Sequence, residues 1–349
     1  MGIPLRKALI SAFGDVSNVA VVDGWISPPA RKEVQVEVLY AIFSGADVSM
    51  RLGWYPLQRA APLTPGYCLV GRVVSNGPGS SGFSEGSLVA ALTTYDAQAT
   101  LANVPERYLV PVPPELDTDA GRQQVAALTL NWTTAYGMVT RTAAVASGQR
   151  VFVHGLSGAV GHAAATLCLR AGAEVYGTAS ARNHAALQTL GVKQVFDHAD
   201  KAWIGAMRAL GGAHAAFDPL GFESWDESYS ILADGGILVG YGGNKGILEA
   251  GTEARHRSPF PHIAKLLAHN LKVWSGRRTA FYYIDRDDKA FTLDLIQLIT
   301  MVKNGEVDVS IKKVWDLDTE SLRSAHESWG KSPGLGSSLI RVARAPATG

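Results

Sequence analysis

The sequence predicts a mixed α/β fold with two parts, a β-rich domain and a domain built on a doubly wound parallel sheet. Up to about residue 115, short strand-like segments are separated by turns. From about residue 122, compact apolar segments alternate with helical ones, and after residue 275 the strand-like texture returns. We therefore assign residues 1–122 and 276–349 to the β-rich domain and residues 123–275 to the parallel-sheet domain.

The β-rich domain is indicated most clearly by residues 33–43 (EVQVEVLYAIF), in which apolar side chains alternate along the segment. This period of two is typical of a half-buried strand. Turn signals at Ser27-Pro28-Pro29 and Asn76-Gly77-Pro78-Gly79 separate further short β-rich pieces. We expect these strands to roll into a barrel or sandwich.

The second domain is indicated by short, fully apolar segments with helical segments between most of them. Strands are predicted at 150–154, 174–178, 194–197, 215–218, 236–241 and 271–275, with helices at 159–171 and 184–190. Apolar strands that alternate with helices predict a parallel sheet covered on both faces. A long helix is predicted at about 288–303, before strand-like segments at 311–315 and 337–342.

The charge balance and cysteine content exclude several classes of protein. The net charge of +1 shows no basic excess, so neither nucleic acid nor an acidic membrane is expected as a partner. With two cysteines, Cys68 and Cys168, a disulfide scaffold is not expected, and a reducing compartment fits. No apolar run reaches transmembrane length, so we expect a cytoplasmic protein.

The strongest motif joins the strand at 150–154 to the helix that follows it. Glycines in this turn allow a tight bend and a close approach to a pyrophosphate, which the N–H groups of the helix N-terminus then bind. A second strand about twenty residues further on supports a dinucleotide site. The candidate contacts are Gly155, Ser157, Gly158, Ala159, Val160 and Gly161.

The end of the second strand predicts which dinucleotide is bound. Sites for NADH usually place an acidic residue there to hold the ribose 2′-hydroxyl. No acidic residue lies between Glu174 and Asp197, whereas Thr178, Ser180 and Arg182 follow the strand. Ser180 and Arg182 are suited to a 2′-phosphate, so NADPH is the predicted cofactor.

Seven segments together resemble the medium-chain dehydrogenase/reductase superfamily, and within it the zinc-independent quinone oxidoreductase and enoyl reductase branch. They are residues 44–56 (SGADVSMRLGWYP), 65–77 (PGYCLVGRVVSNG), 133–137 (TTAYG), 154–161 (HGLSGAVG), 177–184 (GTASARNH), 217–221 (FDPLG) and 232–243 (LADGGILVGYGG). The resemblance covers nearly the whole chain. It implies a GroES-like catalytic domain, a Rossmann domain and often a homodimer.

Zinc-dependent relatives carry a cysteine and a Gly-His-Glu where this chain has Ser44 and Gly66-Tyr67-Cys68. Zinc needs three or four Cys, His or carboxylate ligands at suitable spacing, and the nine histidines form no His-x-x-x-His pair. We therefore expect no metal.

Three residues are the candidates for chemistry without a metal. By resemblance Tyr55 matches the proposed proton donor of enoyl reductases, and the alternative is a tyrosine that packs at the mouth of the β-domain. Ser44 and Tyr67 stand at the vacated ligand positions, where Ser44 is expected to face either the nicotinamide or a turn, and Tyr67 the substrate. By resemblance Thr134 contacts the nicotinamide, and Tyr241 and Gly242 follow a strand end where ligands of such folds lie.

The sequence leaves three functions open. The first is NADPH-dependent reduction of a conjugated C=C bond or a quinone, with a small, apolar substrate. The second is a reductive cyclase, as in polycyclic tetramate macrolactam pathways. The third is a non-catalytic NADPH-binding protein, because one fold serves many functions. The aromatic run 281–284 (FYYI) is expected to cover the substrate or to belong to the core.

Overall fold

The computed structural model describes residues 2–250 and 257–343. It divides into two compact units. The first comprises Met1–Thr133, Asp285–Ser332 and Ser337–Gly349, and the second comprises Thr134–Ile284 and Pro333–Gly336. Both divisions fall later in the chain than the sequence-based boundaries at residues 122 and 275. Within the described residues, no helix is both long enough and apolar enough to span a bilayer.

The strands and helices follow one another in the order that the hydrophobic pattern of the sequence indicates. The strands are β1 (Ile3–Ile10), β2 (Val19–Ile26), β3 (Glu33–Phe43), β4 (Cys68–Asn76), β5 (Leu88–Leu92), β6 (Leu101–Pro105), β7 (Val110–Pro111), β8 (Arg150–Val153), β9 (Glu174–Ala179), β10 (Gln194–Asp197), β11 (Ala213–Asp218), β12 (Leu232–Gly240), β13 (Arg278–Phe281), β14 (Ile311–Asp316) and β15 (Ser337–Arg341). The helices are α1 (Gly45–Leu52), α2 (Asp119–Ala127), α3 (Thr133–Gly137), α4 (Ala159–Arg170), α5 (His184–Leu190), α6 (Ala202–Ala209), α7 (Glu223–Ser230), α8 (Lys245–Ala250), α9 (Phe260–Ala268), α10 (Lys289–Lys303) and α11 (Thr319–Ser328).

The first unit is the GroES-like β-rich domain. Its main sheet has the order β14-β15-β3-β4-β5-β7, with β6 also pairing with β3, while β1 and β2 form a separate antiparallel pair. The alternation in β3 buries Val34, Val36 and Val38 completely. β15 pairs antiparallel with β3, so the C-terminal segments complete this sheet.

The second unit is the Rossmann domain. Its six strands have the order β10-β9-β8-β11-β12-β13, and every neighbouring pair is parallel. The order reverses beside β8, the topological switch point at which ligands bind beyond the carboxyl ends of the strands. Phe152, stacked on Trp203 with ring centroids 4.9 Å apart, packs in the core beneath this sheet.

The predicted strand at 271–275 is wrong. Two short 3-10 turns, His269–Leu271 and Val273–Ser275, occupy this region, and Gly276 ends the second with φ +62°. Leu271, Val273 and Trp274 are exposed, so their apolar run mimics a buried strand without covering the sheet. The last strand of the sheet is instead β13, which pairs with β12.

Candidate functional site

The turn between β8 and α4 depends on two glycines for different reasons. Gly155 has φ +68°, a left-handed conformation that favours glycine. A Cβ on Gly161 would lie 2.2 Å from the carbonyl oxygen of Gly155, so only glycine allows the helix to approach the turn this closely. The Gly158 N–H donates to the same Gly155 carbonyl oxygen at 2.8 Å and closes the bend.

The N-terminus of α4 supplies the groups that bind an anion. Gly158 is the N-cap residue and has no side chain to cap the helix. His162 N–H makes the first helical bond, to the Gly158 carbonyl at 2.8 Å, so the amides of Ala159, Val160 and Gly161 precede the regular ladder. Together with the helix dipole, these amides suit a pyrophosphate.

Thr178 accepts hydrogen bonds from two amides of the turn that follows β8. The Leu156 N–H donates to the Thr178 carbonyl oxygen at 2.9 Å, and the Gly155 N–H donates to the Thr178 hydroxyl at 3.2 Å. The side chain is buried beside His154, 3.2 Å from its ring nitrogen Nδ1. Thr178 therefore holds two amides of the turn that follows β8, and its direct contact with a cofactor stays a prediction.

The residues predicted to hold a 2′-phosphate follow β9. Ser180 is half-buried and Arg182 is exposed. The parallel register also places Asp197, at the end of β10, opposite Ala179. This carboxylate accepts from the Ala199 N–H and pairs with His198 at 3.4 Å. Counting acidic residues along one strand could not reveal this charge, because it comes from the neighbouring strand.

Two loops at the carboxyl ends of β11 and β12 interlock. The Tyr241 N–H donates to the Asp218 carbonyl oxygen at 3.1 Å, and the Asn244 N–H donates to the Pro219 carbonyl oxygen at 3.0 Å. A Cβ on Gly242 would lie 2.7 Å from the same Pro219 oxygen. Burial and the charge of Asp218 raise the pKa of Tyr241, so its phenol is neutral near pH 7. Tyr241 and Gly242 thus follow β12 at its carboxyl end, and their contact with a cofactor stays a prediction.

The loop after β11 also contains a strained residue. Phe222 has φ +57° and ψ −127°, a conformation that non-glycine residues rarely adopt outside functional sites. The Arg257 guanidinium lies 4.1 Å from the centre of its ring and donates to Glu223 at 2.6 Å. This hydrogen bond lowers the pKa of Glu223 to about 2, so the ion pair persists at physiological pH.

The aromatic run at 281–284 begins at the last residue of the edge strand β13. Phe281 ends β13 and packs edge-on against Trp225, with ring centroids 6.0 Å apart. The Tyr282 hydroxyl lies over Gly137, and a Cβ there would be too close to it. Tyr283 is exposed, so the three rings face different environments instead of forming one surface.

Thr134, the predicted nicotinamide contact, is buried in the short helix α3, and its contact with the cofactor stays a prediction.

In the first unit, two of the candidate residues form a direct pair. The hydroxyl oxygens of Tyr55 and Tyr67 are 2.7 Å apart, and their ring centroids are 6.0 Å apart in an edge arrangement. Tyr67 is 4% exposed, whereas Tyr55 is half-buried. The structure thus joins a buried phenol to one that is partly open.

Ser44 is the N-cap residue of α1. Its hydroxyl accepts from the Ala46 N–H at 3.2 Å and its backbone N–H donates to Asp47 Oδ2 at 2.8 Å, which makes a capping box. The hydroxyl also donates to Asp47 Oδ2 at 3.0 Å. Asp47 is buried and also accepts from Gln98 Nε2 at 3.0 Å. Burial raises the pKa of Asp47 to about 6. A hydroxyl committed to this cap favours the turn role of Ser44, and its catalytic role stays a prediction.

The donor set at the vacated metal position does not fit zinc. Ser44 is engaged in the capping box, and the Tyr67 side chain is paired with Tyr55. The Cys68 thiol donates to the Ala126 carbonyl oxygen at 3.4 Å, and burial raises its pKa above the usual range. In the part of the chain that the structure describes, no three His, Cys, Asp or Glu side chains are grouped to hold a metal ion.

The sequence analysis did not identify a group of buried polar side chains near the carboxyl edge of the parallel sheet: His154, Asp218 and Ser228. Asp218 and Ser228 are fully buried, and His154 nearly so. The signal was present in the sequence, because His154 and Asp218 each lie at the end of an apolar strand. A polar residue there must find a hydrogen-bond partner when it is buried.

Comparisons with known proteins support the same two-domain architecture. The family model of zinc-binding dehydrogenases matches residues 159–286, and that of the alcohol dehydrogenase GroES-like domain matches residues 30–114. The synaptic vesicle membrane protein VAT-1 homolog of Rattus norvegicus is 26% identical over 337 residues, which cover 93% of this chain and 82% of that protein.

Two solved structures share the fold. The quinone oxidoreductase from Coxiella burnetii superposes with a TM-score of 0.81 at 20% identity and covers 98% of this chain and 100% of its own. A mycobacterial protein complexed with NADPH gives a TM-score of 0.80 at 21% identity, with 97% and 100% covered. At this identity the structures establish the architecture, and the chemistry must be argued from this chain's own residues.

Proposed function

The chain belongs to the medium-chain dehydrogenase/reductase superfamily of oxidoreductases, and from this premise we propose that it uses NADPH, without zinc, to reduce a conjugated C=C bond or a quinone. The observation that carries the proposal is the turn at residues 155–161. Gly155 and Gly161 permit a bend that brings the first amides of α4 to the carboxyl edge of a parallel sheet.

The preference for NADPH is supported by the residues after β9. Arg182 offers a guanidinium and Ser180 a hydroxyl, and both suit a phosphate. Asp197 opposes them from the next strand, and its carboxylate lies 3.4 Å from Nδ1 of the His198 ring. The fold is shared with a mycobacterial protein whose structure contains NADPH. A 2′-phosphate contact at Arg182 is the consequence of this assignment.

The tyrosine pair is the proposed source of a proton. When bound, the reduced nicotinamide supplies a hydride. Reduction of a conjugated bond also needs a proton, and a neutral phenol is a suitable donor. If Tyr67 donates its hydrogen bond to Tyr55, the proton of Tyr55 points away from the pair. The Tyr67 O–H then stabilises the phenolate that Tyr55 becomes after giving up its proton.

A cytoplasmic homodimer is the proposed assembly. β13 is the last strand of the parallel sheet, so among the described residues one of its edges lacks a partner within that sheet. Leu271, Val273 and Trp274 lie just before it in the chain and are 77–81% exposed. Exposed apolar residues next to an open strand edge are typical of a surface that a second copy covers.

The proposed function is tested by NADPH oxidation against a substrate panel. We suggest a quinone, a 2-enoyl thioester, a simple enone and a conjugated polyene, each followed by the loss of NADPH absorbance with and without a chelator. The proposal expects turnover of at least one C=C or quinone substrate, unchanged by the chelator. Binding of NADPH without turnover of any of them would favour the non-catalytic function.

The same panel separates reduction from cyclisation. Product analysis of the polyene reaction by mass spectrometry and NMR distinguishes a reduced linear product from a ring. A cyclic product formed with one equivalent of NADPH would establish the reductive cyclase in place of simple reduction. Activity confined to quinones would exclude cyclisation.

A further inference from the structure

A continuous chain of buried hydrogen bonds runs near the carboxyl edge of the parallel sheet in the second unit. It passes from the Thr178 hydroxyl to His154 Nδ1 at 3.2 Å, and from His154 Nε2 to the Ser228 hydroxyl at 3.0 Å. Ser228 then donates to Asp218 Oδ2 at 2.7 Å. We call these four residues the His154 chain. All four residues are at most 3% exposed, so water does not compete for these bonds.

Counting protons fixes the direction of every bond in the His154 chain. A serine hydroxyl has one hydrogen, and Ser228 uses it on Asp218. Ser228 must therefore accept from His154, which assigns the proton of the imidazole to Nε2. Nδ1 is then an acceptor, and Thr178 donates to it. Burial lowers the pKa of His154, against the opposing charge of Asp218, and this keeps the ring neutral as the assignment requires.

The two ends of the His154 chain lie at two parts of the predicted cofactor site. At one end, the oriented Thr178 hydroxyl accepts the Gly155 N–H of the phosphate turn. At the other end, Asp218 Oδ1 accepts the Leu220 N–H at 2.8 Å and so holds the loop after β11. Each hydroxyl has one proton to donate, so each bond in the His154 chain orients the next. If the bond between His154 and Ser228 is removed, the Thr178 hydroxyl is no longer held in the orientation that accepts the Gly155 N–H.

We propose that His154, Thr178, Ser228 and Asp218 are positioning residues that hold the phosphate turn in its pyrophosphate-binding geometry. This inference rests on the proposed dinucleotide site and deepens it. It assigns part of the affinity for the cofactor to the hydrogen bonds by which these side chains hold the turn, just as the hydrogen-bond partners of metal ligands contribute to the affinity for a metal.

The structure provides a matched control for the test. Ser224 and Ser228 are both buried, and both donate to Asp218 Oδ2 at 2.7 Å, but Ser228 is the one that accepts from His154. Ser228→Ala and Ser224→Ala therefore remove the same bond to the same oxygen. We expect Ser228→Ala to weaken NADPH binding about tenfold and Ser224→Ala to leave it within about threefold, measured by isothermal titration calorimetry. Equal effects of the two substitutions would overturn the proposal.

A second pair of variants distinguishes the loss of the Thr178 hydrogen bonds from a general folding defect. Thr178→Val removes the hydroxyl and Thr178→Ser retains it, so we expect weakened NADPH binding in the first and recovery in the second. Adenosine 2′-monophosphate lacks the pyrophosphate, so its affinity should be the same in all variants. A parallel loss for this probe would mean a general structural defect and would contradict the proposal.

The wild-type titration keeps this inference separate from the proposed function. If the wild-type protein takes up no NADPH, the proposed function fails before the variants are compared. If it binds NADPH and Ser228→Ala and Thr178→Val bind it equally well, the His154 chain fails and the cofactor assignment stands.

Discussion

The most informative substitution is Gly161→Ala, because the structure gives its expected effect in ångströms. The new Cβ would lie 2.2 Å from the Gly155 carbonyl oxygen. A carbon and a carbonyl oxygen need about 3.3 Å, so the turn and α4 must separate by about 1 Å. A displacement of this size at a binding geometry costs on the order of 100-fold. We therefore expect NADPH affinity to fall by about two orders of magnitude.

The effect on stability should be much smaller than the effect on binding. Alanine in place of glycine favours a helix by about 1 kcal/mol. Overpacking against backbone costs about 1–3 kcal/mol, so the net loss is about 0–2 kcal/mol. Gly205→Ala is the matched control, because Gly205 lies in α6 and a Cβ there would have no described atom within 4 Å. We expect this control to be slightly more stable and to bind NADPH normally.

The assay is a fluorescence titration of NADPH on both variants, with thermal unfolding recorded on the same samples. A Gly161→Ala protein that is folded and binds NADPH within threefold of the wild type would refute the phosphate-turn reasoning. Equal losses in Gly161→Ala and Gly205→Ala would refute it as well, because a Cβ on Gly205 meets no described atom within 4 Å.

The remaining predictions concern the cofactor, the tyrosine pair, the assembly and the pH dependence of stability. Arg182→Ala should weaken NADPH about tenfold more than NADH, and an equal loss for both nucleotides in a binding titration would contradict a 2′-phosphate contact. Tyr55→Phe should lower kcat by about 100-fold with unchanged NADPH affinity, and Tyr67→Phe should lower kcat less; unchanged turnover in both would remove the pair from the mechanism. Trp274→Glu should convert a dimer to a monomer in size-exclusion chromatography with light scattering, and a dimer that persists in this variant would contradict the proposed interface. Because burial raises the pKa of Asp47 from about 4 in the unfolded chain to about 6, its protonation favours the folded state. The contribution is full below about pH 4 and is lost as the pH rises through 6; urea unfolding should show this change, about 3 kcal/mol at most, in the wild type but not in Asp47→Asn.

The sequence predicts those parts of the fold that depend on local pattern. The alternation in residues 33–43 predicts β3 to the residue, and the apolar strands and helices from 150 to 197 lie where expected. The error at 271–275 has a physical reason. An exposed apolar run has the same pattern as a buried strand, and the difference lies in what covers it.

The candidate site was only partly predictable for a related reason. The glycine turn is contiguous in sequence, so its residues could be identified directly. The pairing of Tyr55 with Tyr67 and the approach of Asp197 to Ala179 arise from tertiary packing and strand register. The link between His154 and Ser228 joins residues 74 positions apart, and no local pattern indicates such a contact.

The central claim is that the diphosphate of NADPH lies on the turn at residues 155–161, and a crystal structure of the protein with NADPH tests it most directly. We predict pyrophosphate oxygens within about 3 Å of the amides at the N-terminus of α4, with the 2′-phosphate beside Ser180 and Arg182. A nucleotide bound elsewhere, or a turn left empty at saturating NADPH, would contradict the claim.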